Sequence, residues 1–472
     1  DDYEFNRMFK IRNLIAIQHN HNDIAAYEKV MNLKTLEDLN DKDNITRAYN
    51  YFKNNLNINE LNINNILSKI LFVGIDLSEI EDEQQIFDTI NSLGVRLTTA
   101  ELLKNYFFNR DEITTYNTYW KDVFEKDSET KNYWDTEITA GRAKRELIDI
   151  FFFSYLQIKI QEKELKVKTE NKIEFSKVEN LFESYKSFIR EYFNNDKELI
   201  LSEIKEYASL FQKNFNIKIV ENELTNISGI ERINAIIFGL DTTTLIPYVL
   251  FVLKNVLDDT VRNELFEFLE TYIMRRIICN QTTKNYNQLF TDRLINNKIL
   301  SKEAFVNYLN GQLDTVNFLP TDEDLENGFT NMILVNKQSA GVLYFIESKI
   351  RNRSYQSTQL LGLNKYSLEH LMPKKWENHW VNSMSSEEKM NRNKKLLTLG
   401  NLTIITQSLN STIRDANWKN KKEGRGDKKG LLAYASGLET MNHYLTFDEW
   451  NEKTIEDRAN FLFEKAKNIW KI

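Results

Sequence analysis

The stretch "YSLEHLMPKKW", Tyr366–Trp376, holds one of the five histidines and one of the three prolines in 472 residues, with an acid directly before the histidine. "LLGLNKYSLEHLMP" reads as a strand followed by a loop, because Pro373 has no N–H to extend a ladder. About thirty residues on, "LLTLGNLTIIT" reads as a second strand with Gly400 bending its entry, and "QSLNSTIRDANWKNKKE" reads as one helix. The result is a strand–loop–strand–helix unit. Glu369 and His370 end the first strand, Asn401 lies on the second, and Asn410 follows nine residues later on the helix.

Around this unit the chain is helical. Three prolines and fourteen glycines, with abundant Leu, Ile, Lys, Glu and Asn, favour helices over a sandwich or barrel. Residues 1–110 read as helices separated by Asn- and Asp-rich turns, with an Asn rhythm at 54–67 that is compositional rather than a repeat. "ILFVGIDL", Ile70–Leu77, reads as a short buried strand. The next helix stops at Gly94, and Thr98 caps a fresh one with Glu101 at the capping-box position. Residues 111–325 are an array of amphipathic helices, among them "RELIDIFFFSYLQIKI" and "VRNELFEFLETYIMRRIICN", whose aromatic stripes read as core. "LPTDED" from Leu319 marks a boundary before a last helix of the array, Asn331 to Ile350. A closing helix is capped by Thr446 and packs through Ile455, Ala459, Leu462, Ala466 and Ile469. The expected fold is mainly α: a multi-helical array with a small C-terminal ββα module, in three parts at 1–110, 111–325 and 326–472.

Composition excludes several classes. One cysteine, Cys279, rules out an internal disulfide framework and a cysteine-based zinc site, and suits a reducing cytoplasm. Apolar runs such as Leu245–Leu253 are too short to cross a bilayer, so no membrane association is expected. No signal peptide is visible, and the chain opens at Asp1 in what reads as mid-helix, which predicts that a further segment precedes it. Net charge is −7, yet Leu361–Gly430 carries fourteen Lys and Arg against seven Asp and Glu. That segment is therefore +7 and the remainder −14. A basic island on an acidic chain is the footprint of a polyanion site confined to one domain. A solvated surface is the bland alternative. Arg275 and Arg276 are expected to pair with acids of neighbouring helices rather than meet DNA. His379 and His443 fit no motif position and are read as surface or packing residues.

The chemistry that suits this unit is phosphodiester hydrolysis with one divalent ion. It needs a base for water, hard oxygens for the metal and a group that fixes the imidazole. Histidine titrates near neutrality, and Glu and Asn oxygens suit Mg²⁺, which takes few protein ligands. "SLEHLMPKKW", "LLTLGNLTIITQSLN" and "NWKNKK" together resemble the HNH (ββα-metal) nuclease domain that ends GmrSD-type modification-dependent, type IV restriction proteins. The resemblance implies a DNA endonuclease or nickase of a prokaryotic anti-phage system. His370 would be the general base and Asn401 its support, with Glu369 and Asn410 holding Mg²⁺ or Mn²⁺. Adjacent strand residues face opposite sides, so Glu369 and His370 converge only if the strand breaks there. Lys419 and Lys422 would meet phosphate, within a basic run that continues through Lys421, Arg425, Lys428 and Lys429.

Two further stretches extend the resemblance. "FDTINSLGVRLTTAELLKNYF" is similar to the end of the ParB-like nucleotide-binding domain of these proteins, and "FLETYIMRRIICNQTTKNYNQLF" to their central helical region. The early D-G-Q-Q-R-type motif of such domains is not found, so NTP binding is assigned to no residue and is expected only with an upstream region. Asn91, Gly94 and Arg96 alone could approach a nucleotide, and a helix C-cap explains the first two equally well. The implied partners are DNA, above all modified phage DNA, with a homo-oligomer left open and a cytoplasmic location. A DNA-binding scaffold, or an NTP-regulated sensor with secondary nuclease activity, is the alternative.

Overall fold

The computed structural model describes residues 9–11, 14–15, 23–41, 43–69, 98–109, 112–141, 143–311, 316–351, 359–380 and 383–472. The strand expected at Ile70–Leu77, the stop at Gly94, and Asn91 and Arg96 lie outside these residues. Contacts divide the chain into two units, Asp1–Glu83 and Gln84–Ile472. The first contains α1 (Ile24–Met31) and α2 (Asn44–Asn55); Asp43 caps α2 by accepting from the Thr46 amide.

In the second unit the principal helices are α3 (Thr99–Phe107), α4 (Leu147–Lys159), α5 (Leu181–Tyr192), α6 (Glu198–Asn214), α7 (Ile246–Asn255) and α8 (Asp259–Ile278). They continue with α9 (Asp322–Asn331), α10 (Asn336–Ile350), α11 (Gln407–Ile413), α12 (Trp418–Glu423) and α13 (Glu452–Ile469). The strands form antiparallel pairs: β1 (Lys10–Ile11) with β2 (Leu14–Ile15), β3 (Glu137–Ala140) with β4 (Ala143–Glu146), β5 (Tyr366–His370) with β6 (Leu402–Thr406), and β7 (Gly424–Arg425) with β8 (Lys428–Lys429). The mainly α architecture with a small C-terminal module is as the sequence predicts. Thr98 caps α3 in a full capping box with Glu101, also as predicted.

α4 shows why the array holds. Every residue from Leu147 to Lys159 except Phe153 is buried, so this helix is covered on nearly all sides, its polar Asp149, Ser154, Gln157 and Lys159 included. α5, α6 and α7 pack on it. No described helix is long and apolar enough to cross a membrane.

The array and the C-terminal module share one unit rather than meeting at a linker. α8 packs on α9 and α10, and α10 packs in turn on β5, β6 and α13. Arg232 grips Glu270 with two hydrogen bonds of 2.7 and 2.8 Å, and its Nη1 donates to Ser348 Oγ at 2.9 Å. Trp470 Nε1, beyond the end of α13, donates to the same Glu270 carboxylate at 3.0 Å. Arg275 is fully buried, donating to the carbonyls of Trp470 and Pro320 and to Asp322 Oδ1 at 2.6 Å. Its expected pairing with an acid is therefore met. Arg276 instead serves the carbonyls of Phe318 and Thr282 and the Tyr286 hydroxyl.

Two helix boundaries differ from expectation. The last helix of the array begins at Asn336, because a capping box at Thr321 and Asp324 starts a separate helix. Residues 332–335 then run extended and bury Leu334. The closing helix starts at Glu452 under Asn451, whose side chain accepts from Lys453 and Thr454, while Thr446 ends a short 3₁₀ turn.

Glu270→Ala leaves the Arg232 charge buried without its partner, which costs about 3–5 kcal/mol. The expected outcome is a lowered denaturant midpoint. The Arg232→Met/Glu270→Met pair, which removes both charges, should recover most of the loss.

Candidate functional site

The β5–β6 hairpin places the site. Its register sets His370 opposite Leu402 and Glu369 opposite Thr403. β5 ends at His370, three residues before the buried Pro373. Leu371, Met372 and Trp376 are fully buried, so the loop after His370 is packed down rather than free. Trp376 is held by a hydrogen bond to Asn393 Oδ1 at 2.9 Å and by the Arg392 guanidinium 4.6 Å above its ring.

Asn401 governs this loop. It sits in a 3₁₀ turn, Leu399–Asn401, just before β6 rather than on the strand as expected. Its side chain is fully buried. Oδ1 accepts from the Met372 amide at 2.9 Å and from Trp450 Nε1 at 2.9 Å. Nδ2 donates to the carbonyls of Met372 at 2.8 Å and Leu396 at 2.9 Å. The backbone adds a bond from the Leu371 amide to the Asn401 carbonyl at 2.9 Å. One amide thus saturates its hydrogen-bonding capacity while clamping the residues that follow His370. Asn401 thus contacts the backbone immediately after His370, not the imidazole.

The turn that carries Asn401 is itself gripped from α13. Arg458, fully buried, donates to the carbonyls of Gly400 at 2.9 Å, Leu402 at 2.7 Å and Thr440 at 3.0 Å. A Cβ at Gly400 would lie 2.2 Å from the Ile455 carbonyl oxygen, so only glycine permits this approach.

His370 is partly buried, and burial is the main cause that lowers its pKa to about 4, with Lys374 and Lys421 adding repulsion. Burial therefore disfavours its charged form. Glu369 faces inward, 6% exposed, in an ion pair with Lys421. Lys421 Nζ also donates to the His370 carbonyl at 2.7 Å. Burial pushes the Glu369 carboxyl up and the Lys421 ammonium down, each partly offset by the other.

Thr406 caps α11, and Asn410 on this helix donates to Ser367 Oγ at 3.1 Å and the Leu368 carbonyl at 3.0 Å. Ser367 and Glu369 share one face of β5 by strand alternation, so Asn410 reaches the strand beside the Glu369 face. The expected single helix over Gln407–Glu423 is two: Arg414 takes φ +41°, and Asn417 caps α12.

The donors near the end of β5 are of the kind that oxygen-ligated divalent ions take. Glu369 and Asn410 supply hard oxygens, and Thr403 Oγ1, opposite Glu369, is buried with no partner among the described residues. Any such ion would share Glu369 with Lys421. Among the described residues no group of three or more His, Cys, Asp or Glu could hold a metal, so water would complete the shell.

The basic run divides by helical phase. Trp418, Lys421 and Lys422 lie on one face of α12 and are buried, whereas Lys419 is exposed. Lys422 Nζ donates to the Phe447 carbonyl at 2.8 Å, which corrects its reading as a phosphate contact. Arg425, Lys428 and Lys429 are exposed on the β7–β8 hairpin. Sequence reasoning missed the inward roles of Lys421, Trp450 and Arg458; the three- and four-residue steps from Trp418 were the available signal for Lys421. His379 and His443 are exposed, as read.

Asn401→Ala strips partners from four buried groups, each worth about 1–3 kcal/mol when left unsatisfied. The variant is expected to lose at least about 3 kcal/mol of stability, with faster amide exchange over 366–376 as the check.

Residues 319–465 match the family model for the C-terminal domain of GmrSD restriction endonucleases. The span contains β5, β6, α11 and α12, so the resemblance carried by "SLEHLMPKKW" and "LGNL" is borne out there. No curated protein matches the chain.

Proposed function

We propose that this chain is a metal-dependent DNA endonuclease or nickase of the HNH type, acting on modified phage DNA in the cytoplasm of a prokaryotic cell. The likeness of residues 319–465 to a restriction endonuclease domain supports the substrate class and the reaction. The observation that carries the reading is a histidine at the end of β5, followed by a loop that a buried asparagine clamps. A general base needs a fixed position from which to take the proton of the attacking water.

His370 takes the proton from the attacking water. Asn401 keeps the strand end in register. Glu369 and Asn410 offer oxygens for Mg²⁺ or Mn²⁺, which when bound would neutralise developing charge on the phosphate. Lys419, Arg425, Lys428 and Lys429 meet the backbone phosphates, positioning the duplex without reading its sequence.

His370→Ala removes one partly buried ring and should leave the fold intact while lowering Mg²⁺- or Mn²⁺-dependent plasmid nicking by at least about 10²-fold. Nicking by this variant at the wild-type rate would assign the base elsewhere, and a wild-type chain that binds DNA without cutting would favour the scaffold reading.

The split of the basic run makes a second test. Each phosphate contact removed lowers the salt slope of DNA binding by about 1. Lys419→Ala with Arg425→Ala should therefore reduce the slope by about 2 in metal-free buffer. Lys422→Ala should leave the slope at the wild-type value.

A further inference from the structure

Lys421 is the least expected side chain of the site. Its ammonium is fully buried beneath β5, where an ordinary surface lysine of a DNA-binding run would reach solvent. It makes two contacts, to the Glu369 carboxylate and to the His370 carbonyl, and so touches the two residues at the strand end together. An apolar residue would fill the same volume without the cost of desolvating a charge.

The helix that carries Lys421 is held as firmly as the loop on the other side. Asn417 caps α12 by accepting from the Asn420 amide. Trp418 Nε1 and Lys422 Nζ both donate to the Phe447 carbonyl. At the end of α12 the chain turns back at Gly424, φ +106°, and Gly430 lies so close that a Cβ there would stand 2.4 Å from the Lys421 carbonyl oxygen. The backbone at Lys421 is thus pinned from three directions.

Carboxylates that bind metals are themselves hydrogen-bonded, and this outer contact sets the direction of their free oxygen. We propose that Lys421 is a positioning residue of the nuclease site, orienting the Glu369 carboxylate for a divalent cation and anchoring the main chain at His370. The proposal rests on the nuclease reading above. It moves Lys421 from the phosphate-contacting surface to the support of the reacting groups.

The test uses the full chain, Lys421→Met and Lys421→Arg, with Mn²⁺ affinity measured by electron paramagnetic resonance without DNA, and plasmid nicking measured separately. Lys421→Met should weaken Mn²⁺ binding about 10–100-fold and lower kcat while KM for DNA holds. Lys421→Arg, which keeps a cationic donor, should recover part of both. Lys421→Gln, an uncharged donor, replaces Met under the same criteria if the Met variant does not fold. Wild-type Mn²⁺ affinity in the variant overturns the proposal. A rise in affinity does so too, because Lys421 would then compete with the metal for Glu369. A higher KM for DNA at unchanged Mn²⁺ affinity returns Lys421 to the phosphate surface. Failure of the wild-type chain to nick DNA refutes the nuclease reading itself and takes the proposal with it.

Discussion

The constraint on which the C-terminal module depends is the saturated amide of Asn401. Two donors and two acceptors converge on one buried side chain, and three of the four groups belong to segments that follow His370 or precede the turn. Buried polar groups carry a high penalty when unpaired, so such a network is either complete or costly. Its completeness fixes where β5 stops. Once Met372 is bound to Asn401 through both its amide and its carbonyl, His370 has no freedom to slide along the ladder.

The closing helix belongs to the same argument. Read from its apolar spacing, α13 is a packing element, and Ile455, Ala459, Leu462 and Ala466 do bury against the module. Arg458 adds what spacing does not show. It gathers carbonyls from the Asn401 turn and from Thr440, groups that the 3₁₀ turn and β6 leave without backbone donors. Trp470 then carries the end of α13 into the Arg232–Glu270 pair of the array. A continuous set of buried contacts therefore runs from the array to the loop after His370, consistent with one compact unit rather than two beads on a linker.

What was legible in the sequence follows the range of the interaction. Local signals were read correctly: the Thr98–Glu101 capping box, the strand end before Pro373, the hairpin followed by a helix. Each is decided by residues within a few positions. Asn401 was placed on a strand, because nothing adjacent shows that its side chain must turn inward to Met372, 29 residues earlier. Thr446 is expected as the cap of the closing helix and Asn451 is the cap found; both residue types cap well, so local sequence does not separate them. Lys422 was read as a phosphate contact because charge suggests solvent. Its partner, the Phe447 carbonyl, is 25 residues away and carries no signature.

The +7 island thus contains two populations that composition cannot separate. Lys421 and Lys422 spend their charge inside, on a carboxylate and on carbonyls, while Lys419, Arg425, Lys428 and Lys429 present theirs to solvent. The α12 helix sorts them: a step of three or four residues from Trp418 faces inward, and a step of one faces out. The exposed set is then carried onward by a hairpin whose glycines, Gly424 and Gly426, adopt positive φ. Because Gly430 closes against the Lys421 carbonyl, the hairpin is anchored to the same residue that holds Glu369 and His370. The outer cations and the inner one are therefore carried by a single stretch of backbone, anchored where Gly430 meets the Lys421 carbonyl.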